Sequence, residues 1–401
     1  MKEKSKVLSL LFFSVSIFFL NSSNTKAKEV RGVSENLVKI GLSMDQTGPA
    51  ASTLVPLTNA VRNLARHVNE IGGINGRKLK IIVEDDRYSI PPAIAAIKKL
   101  VYKDKIFALI GPSSASLINV IWKHIQKNKL PTIVAPSTEV AVVPYKKYLF
   151  IFTETYTGQA KILVNYMIND YKMKKRRIGL VYPDTETGKT DLRAVLPKLE
   201  QYKIKPVTSQ ILMPGALDAT SQVLNLKRNR VNCILNIGTI PPTSVTLLRE
   251  LMKFGLKIPV FQTYGAMLGE ELAQMGKIAE NTYIVHAISP WYGEGAGVAE
   301  MRKITLKYHP GTEKPYRGTA YTGGWALESA LVIGMKKAGR DLNCNTLIKA
   351  LETFKDYDNG GLCGIINYSP TSHKGGDTAR IFKVDTNSKK YVAITGWLKA
   401  E

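Results

Sequence analysis

The feature that most constrains this chain is a rhythm that starts at residue 36: short apolar runs alternate with helical periods, and the alternation is played through twice. Residues 38–42 read as a buried strand, after which Leu57, Val61, Leu64, Val68 and Ile71 fall on one helical stripe that Gly72-Gly73 stops. Residues 80–83 read as a second strand. Pro91-Pro92 then opens a helix running to Tyr102, since proline is tolerated in a first turn. Further strands are predicted at 106–110 and 132–135, with a helix over 116–127 between them. Parallel strands need crossover helices, so this pattern predicts an α/β fold with a parallel sheet covered on both faces.

A second unit repeats the pattern. Strands are predicted at 178–182, 207–212, 233–237 and 260–262, and helices near 189–202, 218–229 and 243–254. The C-terminal third is less regular, with a strand at 283–287, helices at 318–338 and 346–354, and strand-like pieces at 364–368, 380–384 and 391–397. A chain of 401 residues exceeds what one hydrophobic core usually organises, so two lobes are expected. No low-complexity linker divides them, which suits lobes joined by several crossings rather than by a flexible tether.

The N-terminus carries Lys2, Lys4 and Lys6, then an apolar run over 7–20, then a polar stretch ending in Thr25-Lys26-Ala27. That order reads as a secretory signal peptide over 1–27, with a membrane-anchored N-terminus as the rival reading. The mature protein is expected to be soluble and extracytoplasmic, in a periplasmic or equivalent compartment. The formal charge of +24 raises the question of nucleic acid. Basic residues are spread along the whole chain, however, and the run at 172–177 has no interleaved aromatic residues, so a solvated face is the better reading. Cys233 lies in an apolar run and reads as a small core residue, while Cys344 and Cys363 could pair in an oxidising compartment.

Little here argues for catalysis. Residues 184–190 end in the Gly-Lys-Thr of a phosphate-binding loop, but the place of its first glycine is taken by Pro183, and Asp184 and Glu186 would repel an anion. There is no dinucleotide fingerprint and no nucleophile elbow. His67, His124, His286, His309 and His373 have no metal-type spacing. No catalytic residue, metal or cofactor is expected.

The loops at the carboxyl ends of the first-half strands say more, because that edge of a parallel sheet is where ligands bind. It presents 43–49, then Gly111-Pro112-Ser113-Ser114-Ala115-Ser116, then Ala135-Pro136-Ser137-Thr138. Two of these loops are small and hydroxyl-rich and stand at or near helix starts, where free N–H groups favour a carboxylate. Helix capping by Ser113, Ser116 and Ser137 is the plainer reading of either loop alone. Two such loops on one edge point to a shared anion site.

In these residues the chain resembles the type 1 periplasmic binding proteins of the leucine/isoleucine/valine-binding kind, substrate receptors of ABC importers. The likeness is carried by Ile40-Gly41-Leu42, by Thr47-Gly48-Pro49-Ala50, and by Gly72-Gly73-Ile74-Asn75-Gly76-Arg77. It continues in Glu84-Asp85-Asp86, in 110–116, in 131–138, and in the spacing of Gly361, Cys363, Gly364 and Ile366. The resemblance implies two Rossmann-like lobes with parallel central sheets, joined by three hinge crossings near 153–156, Ala287 and Gly364. Lobe 1 would be 36–154 plus 287–363, and lobe 2 would be 155–286 plus 364–401.

It also implies a carboxylate held by Ser114, Ala115 and Ser116 and by Pro136, Ser137 and Thr138, with Ala115 standing where a hydroxyl is usual. At the positions matched to the acids that face an amino acid's ammonium, this chain has Tyr156 and Tyr264. A phenol cannot neutralise an ammonium at ordinary pH, and burying that cation unpaired is costly. The expected ligand therefore lacks an α-amino group, unless Asp45 or Glu154 reaches the cleft; Tyr88 is placed at the rim. The implied function is capture of a small molecule by a monomer, through hinge closure, for an ABC permease in the membrane. A sensory module and an enzyme on the same fold are the alternatives.

Overall fold

The computed structural model describes residues 29–135, 138–172, 176–263, 275–309 and 318–400, so the expected signal segment lies outside it. In the first lobe the chain runs β1 (Leu37–Ser43), α1 (Ala51–Glu70), β2 (Lys78–Glu84), α2 (Ile90–Lys98), β3 (Ala108–Ile110), α3 (Ala115–Lys127), β4 (Thr132–Val134) and β5 (Leu149–Ile151). These strands form one sheet in the order β2-β1-β3-β4-β5, every pair parallel. The periodicity works as its physics requires: α1 buries Leu54, Leu57, Val61, Leu64 and Val68 against the sheet. Each such burial is worth about 1.5–3 kcal/mol.

The second lobe repeats the plan with α4 (Tyr156–Asn165), β6 (Ile178–Tyr182), α5 (Glu186–Gln201), β7 (Thr208–Ile211), α6 (Thr220–Arg228), β8 (Cys233–Asn236), α7 (Pro241–Lys253), β9 (Val260–Gln262) and β10 (Thr282–His286). The chain then continues through α8 (Ala296–Tyr308), α9 (Thr319–Ala338) and α10 (Cys344–Glu352), whose buried residues join the core of α1. It ends in β11 (Thr378–Asp385), β12 (Lys390–Ala393) and β13 (Leu398–Lys399), which form the antiparallel margin of the second sheet. That sheet has the order β12-β11-β10-β9-β8-β6-β7. Each sheet has a hydrophobic core on both faces. Strand order reverses between β1 and β3 in one lobe and between β6 and β8 in the other.

Three departures from the expected elements have physical causes. Residues 364–368 form no strand: only Ile366 bridges to Tyr357, and Ile366 and Tyr368 are consumed by the first-lobe core. The expected strand at 391–397 stops at Ala393 as β12, and β13 begins only at Leu398; in the gap the N–H of Ile381 is taken by the Thr395 hydroxyl at 3.0 Å instead of by a neighbouring backbone. Finally, β5, α4 and α8 were not anticipated; β5 is three residues long and α4 starts only five residues later. Cys233 is fully buried as expected, while Cys344 and Cys363 are free thiols.

The chain passes between lobes first between Ile151 and Tyr156 and again after His286, where Ile288 bridges Cys363. The third passage lies later than the Gly364 implied by resemblance. Lys374 still bridges Ile151 beside β5, and β11 opens only at Thr378.

Candidate ligand-binding cleft

Three loops of the first lobe are zipped together by hydroxyls and carboxylates. The Asp45 carboxylate accepts from the N–H groups of Thr47, Gly48 and Ala50, which turns the chain from β1 into α1. Asp86 accepts from the Ser43 hydroxyl at 3.0 Å and from the Ser113 N–H and hydroxyl at 3.0 and 2.6 Å. The Ser113 oxygen in turn accepts from the Asp45 N–H at 2.6 Å. Burial raises the Asp86 carboxyl above its ordinary range against the pull of these donors. Gly111 has φ +113°, and a Cβ there would lie 2.3 Å from the Ser43 carbonyl oxygen, so the β1 and β3 loops approach this closely only through a glycine.

In the second lobe, the Thr185 hydroxyl accepts from the Gly188 N–H and caps α5. Asn236 donates to Gln262 at 2.9 Å and to Ser244 at 3.0 Å and accepts from the Thr239 hydroxyl at 3.1 Å, which fixes the loop after β8. Gly238, at φ +66°, donates to the Thr263 hydroxyl, and a Cβ on it would sit 2.8 Å from the Gly188 Cα. Asp191, one helical turn beyond Thr187, is buried, and burial pushes its carboxyl up to about 8, only partly offset by the nearby Thr263 hydroxyl.

The two switch-point edges face each other across a cleft whose empty space, open mouth included, is about 780 Å³. Its first-lobe wall is largely apolar: Leu54, Leu57, Pro112, Ala115, Ile118 and Val134. Thr53, Tyr88, Ser113 and Ser114 add hydroxyls. Tyr156 stands at the junction of the lobes, and Thr187, Gly238, Thr239, Ile240 and Pro241 close the far side. No acidic or basic side chain lines it among the described residues. Ser114 is the residue preceding α3 and its side chain makes no capping bond. Tyr88 is a neutral phenol, pushed up to about 12 by burial and then by the Asp86 and Asp45 charges.

Of the residues singled out in the sequence, Ser114, Ala115, Tyr88 and Tyr156 line this cleft. Ser116 does not: successive helical positions are rotated by about 100°, and the stripe facing the cleft is Ser114, Ala115 and Ile118. Thr138 is buried beside β4 and is not part of the lining. Asp45 is spent on its own loop, and Glu154 turns into the first crossing, where it pairs with Lys374 at 2.6 Å. Pro136, Ser137 and Tyr264 lie outside the described residues. The sequence reading missed Thr187, Gly238 and Thr239. Their signal was available: they follow β6 and β8, the strands flanking the second reversal. In the loop that ends in Gly-Lys-Thr, Lys189 pairs with Asp184 at 2.7 Å, and Thr187 supplies part of the cleft wall.

Comparison with known proteins places this geometry. The sequence profile of the family described as "Periplasmic binding protein" matches residues 37–390. An amino acid binding protein of Pseudomonas aeruginosa is 22% identical over 80% of this chain and 83% of its own. A fatty acid ABC transporter substrate-binding protein from Thermomonospora curvata has a similar fold, with a TM-score of 0.81, 22% identity, and 94% and 95% of the two chains covered. So does a branched-chain amino acid ABC transporter protein from Thermus thermophilus with bound valine, at a TM-score of 0.83 and 20% identity, covering 92% of this chain and 97% of that one.

Proposed function

The chain belongs to the periplasmic binding protein family, and on that premise we propose that it captures a small, largely apolar carboxylate or amide between its lobes and delivers it to an ABC import permease. It does so outside the cytoplasm, as a monomer, and without catalysing a reaction. The observation that carries this reading is the uncharged cleft between facing switch points, with an apolar first-lobe wall and hydroxyls from both sides. Lobe 1 (36–154 with 287–363) and lobe 2 (155–286 with 364–401, or with its last boundary moved to about 375) act as the two jaws. Ligand contacts to both favour the closed form, which is all that coupling closure to binding requires.

The ligand class follows from what the lining can satisfy. Ser114 and the first N–H groups of α3 suit a carboxylate or carbonyl oxygen. Among the described lining residues an ammonium would meet hydroxyls and no carboxylate, so α-amino acids are disfavoured despite the names of several relatives. The name of the Thermomonospora protein, a fatty acid binder, agrees with an apolar body.

A thermal-shift screen of the mature protein against leucine, valine, phenylacetate, octanoate and benzamide tests this. A ligand at a hundred times its Kd adds about 2.7 kcal/mol of stability to the native state. Phenylacetate, octanoate or benzamide is expected to raise Tm and the two amino acids to leave it unchanged; strong stabilisation by leucine overturns the ligand class. Tyr156→Phe, which removes one donor, is expected to weaken the stabilising ligand by about 0.5–1.5 kcal/mol in titration calorimetry.

A further inference from the structure

Two of the three crossings lie backbone to backbone. Residues 373–375 run alongside β5: the Ile151 N–H donates to the His373 carbonyl at 3.0 Å and the Gly375 N–H to the Ile151 carbonyl at 2.7 Å. His373 is anchored in the first lobe on every side. Its ring stacks on Phe150 with centroids 3.7 Å apart, its Nδ1 lies 3.2 Å from the Leu149 carbonyl, and its Nε2 lies 3.2 Å from Glu352 and 3.3 Å from the Tyr145 hydroxyl. Lys374 is therefore fixed to lobe 1. Gly375 then leaves no room for a side chain, since a Cβ would lie 2.6 Å from the Ile151 oxygen, and Gly376 is tightly placed, with a Cβ 3.0 Å from the Glu154 nitrogen.

From this anchor the Lys374 ammonium reaches Glu154 at 2.6 Å, in the opposing crossing. The same Glu154 oxygen accepts from the Thr155 N–H at 2.7 Å and the Thr155 hydroxyl at 3.1 Å, and the Gln159 amide donates to the Glu154 carbonyl at 2.9 Å. The Thr155 oxygen accepts in its turn from the Gly158 N–H and so caps α4, whose first residue is Tyr156. An unbroken chain of contacts thus runs from the first-lobe sheet, through an ion pair between the partly exposed Lys374 and the buried Glu154, to a helix of the second lobe and a side chain in the cleft. The other Glu154 oxygen is buried without a partner. An ion pair with one partly exposed partner and one unpartnered carboxylate oxygen adds little stability, so its effect is to be sought in geometry.

We infer that Lys374 and Glu154 are positioning residues that set the angle between the lobes and hold Tyr156 at its place in the cleft. The consequence for ligand rests on the proposed function; the consequence for lobe angle does not. The test is small-angle scattering of the ligand-free mature protein, together with octanoate titration, for Lys374→Met, Lys374→Arg and Glu154→Gln. Glu154→Gln keeps an acceptor for Thr155 while removing the charge, so it carries the test if Lys374→Met does not fold.

Lys374→Met and Glu154→Gln are expected to enlarge the radius of gyration and to weaken octanoate by about tenfold, with Lys374→Arg close to wild type in both. A lowered urea midpoint with unchanged scattering and unchanged octanoate affinity overturns the inference and leaves the pair a merely structural one. Should octanoate fail to bind the wild type, phenylacetate or benzamide takes its place in the titration; should none of the three bind, the ligand reading falls, and the scattering comparison still decides the hinge.

Discussion

Ser113 spends one hydroxyl on two loops, donating to Asp86 and accepting from the Asp45 N–H. Ser113→Ala strands the Asp45 N–H and takes one of two donors from an Asp86 oxygen, which keeps the Tyr88 N–H, so it is expected to cost about 1–3 kcal/mol in urea denaturation and to loosen the loop that ends at Ser114. Asp191 behaves differently because nothing comparable offsets its burial. Its carboxyl is raised to about 8 in the folded protein against about 3.9 unfolded, so the stability it contributes is complete below about pH 4 and is lost as pH rises toward 8. Asp191→Asn is expected to remove that decline, giving a protein more stable than wild type at pH 8 when urea midpoints are compared at pH 4 and pH 8; a variant less stable at pH 8 contradicts the assignment. Sequence put Ser114 and Tyr88 near the cleft from their loops at the sheet edge, and Ala115 and Tyr156 from the family resemblance. It could not show that Asp45 folds back onto its own turn or that Ser116 rotates off the facing stripe, since both depend on side-chain direction within a single helical turn.

Among the elements, the long periodic ones were legible and the short ones were not. The strand at 178–182 and the strand at 260–262 coincide with β6 and β9, because uninterrupted apolar runs bounded by polar turns leave few alternatives. By contrast, β5 is a three-residue strand held by β4 on one side and bridged by the segment at 373–375 on the other, a contact across more than two hundred residues that no local pattern announces. That contact makes Gly375 sensitive. Gly375→Ala would put a methyl within 2.6 Å of the Ile151 oxygen, and the strain is expected to cost about 1–3 kcal/mol of stability, read as a lowered urea midpoint. Gly111→Ala has the added burden of φ +113° and is expected to displace the loop bearing Ser114, so ligand affinity should fall along with stability.

At the scale of the whole molecule, two doubly wound lobes are placed so that their strand-order reversals confront each other, and this is what makes a cleft from two otherwise ordinary sheets. The overall architecture was readable because the strand–helix rhythm is global; the last passage between lobes was not, because Ile366 and Tyr368 commit that stretch to the first-lobe core through packing alone. No helix among the described residues is long and apolar enough to cross a membrane. The most direct test of the account is a crystal structure of the mature protein with the ligand that stabilises it most in the thermal screen. The ligand is predicted to lie between Ser114, Ala115 and Tyr88 on one side and Thr187 and Thr239 on the other, touching Tyr156. A ligand bound on one lobe alone, or outside that space, would contradict it.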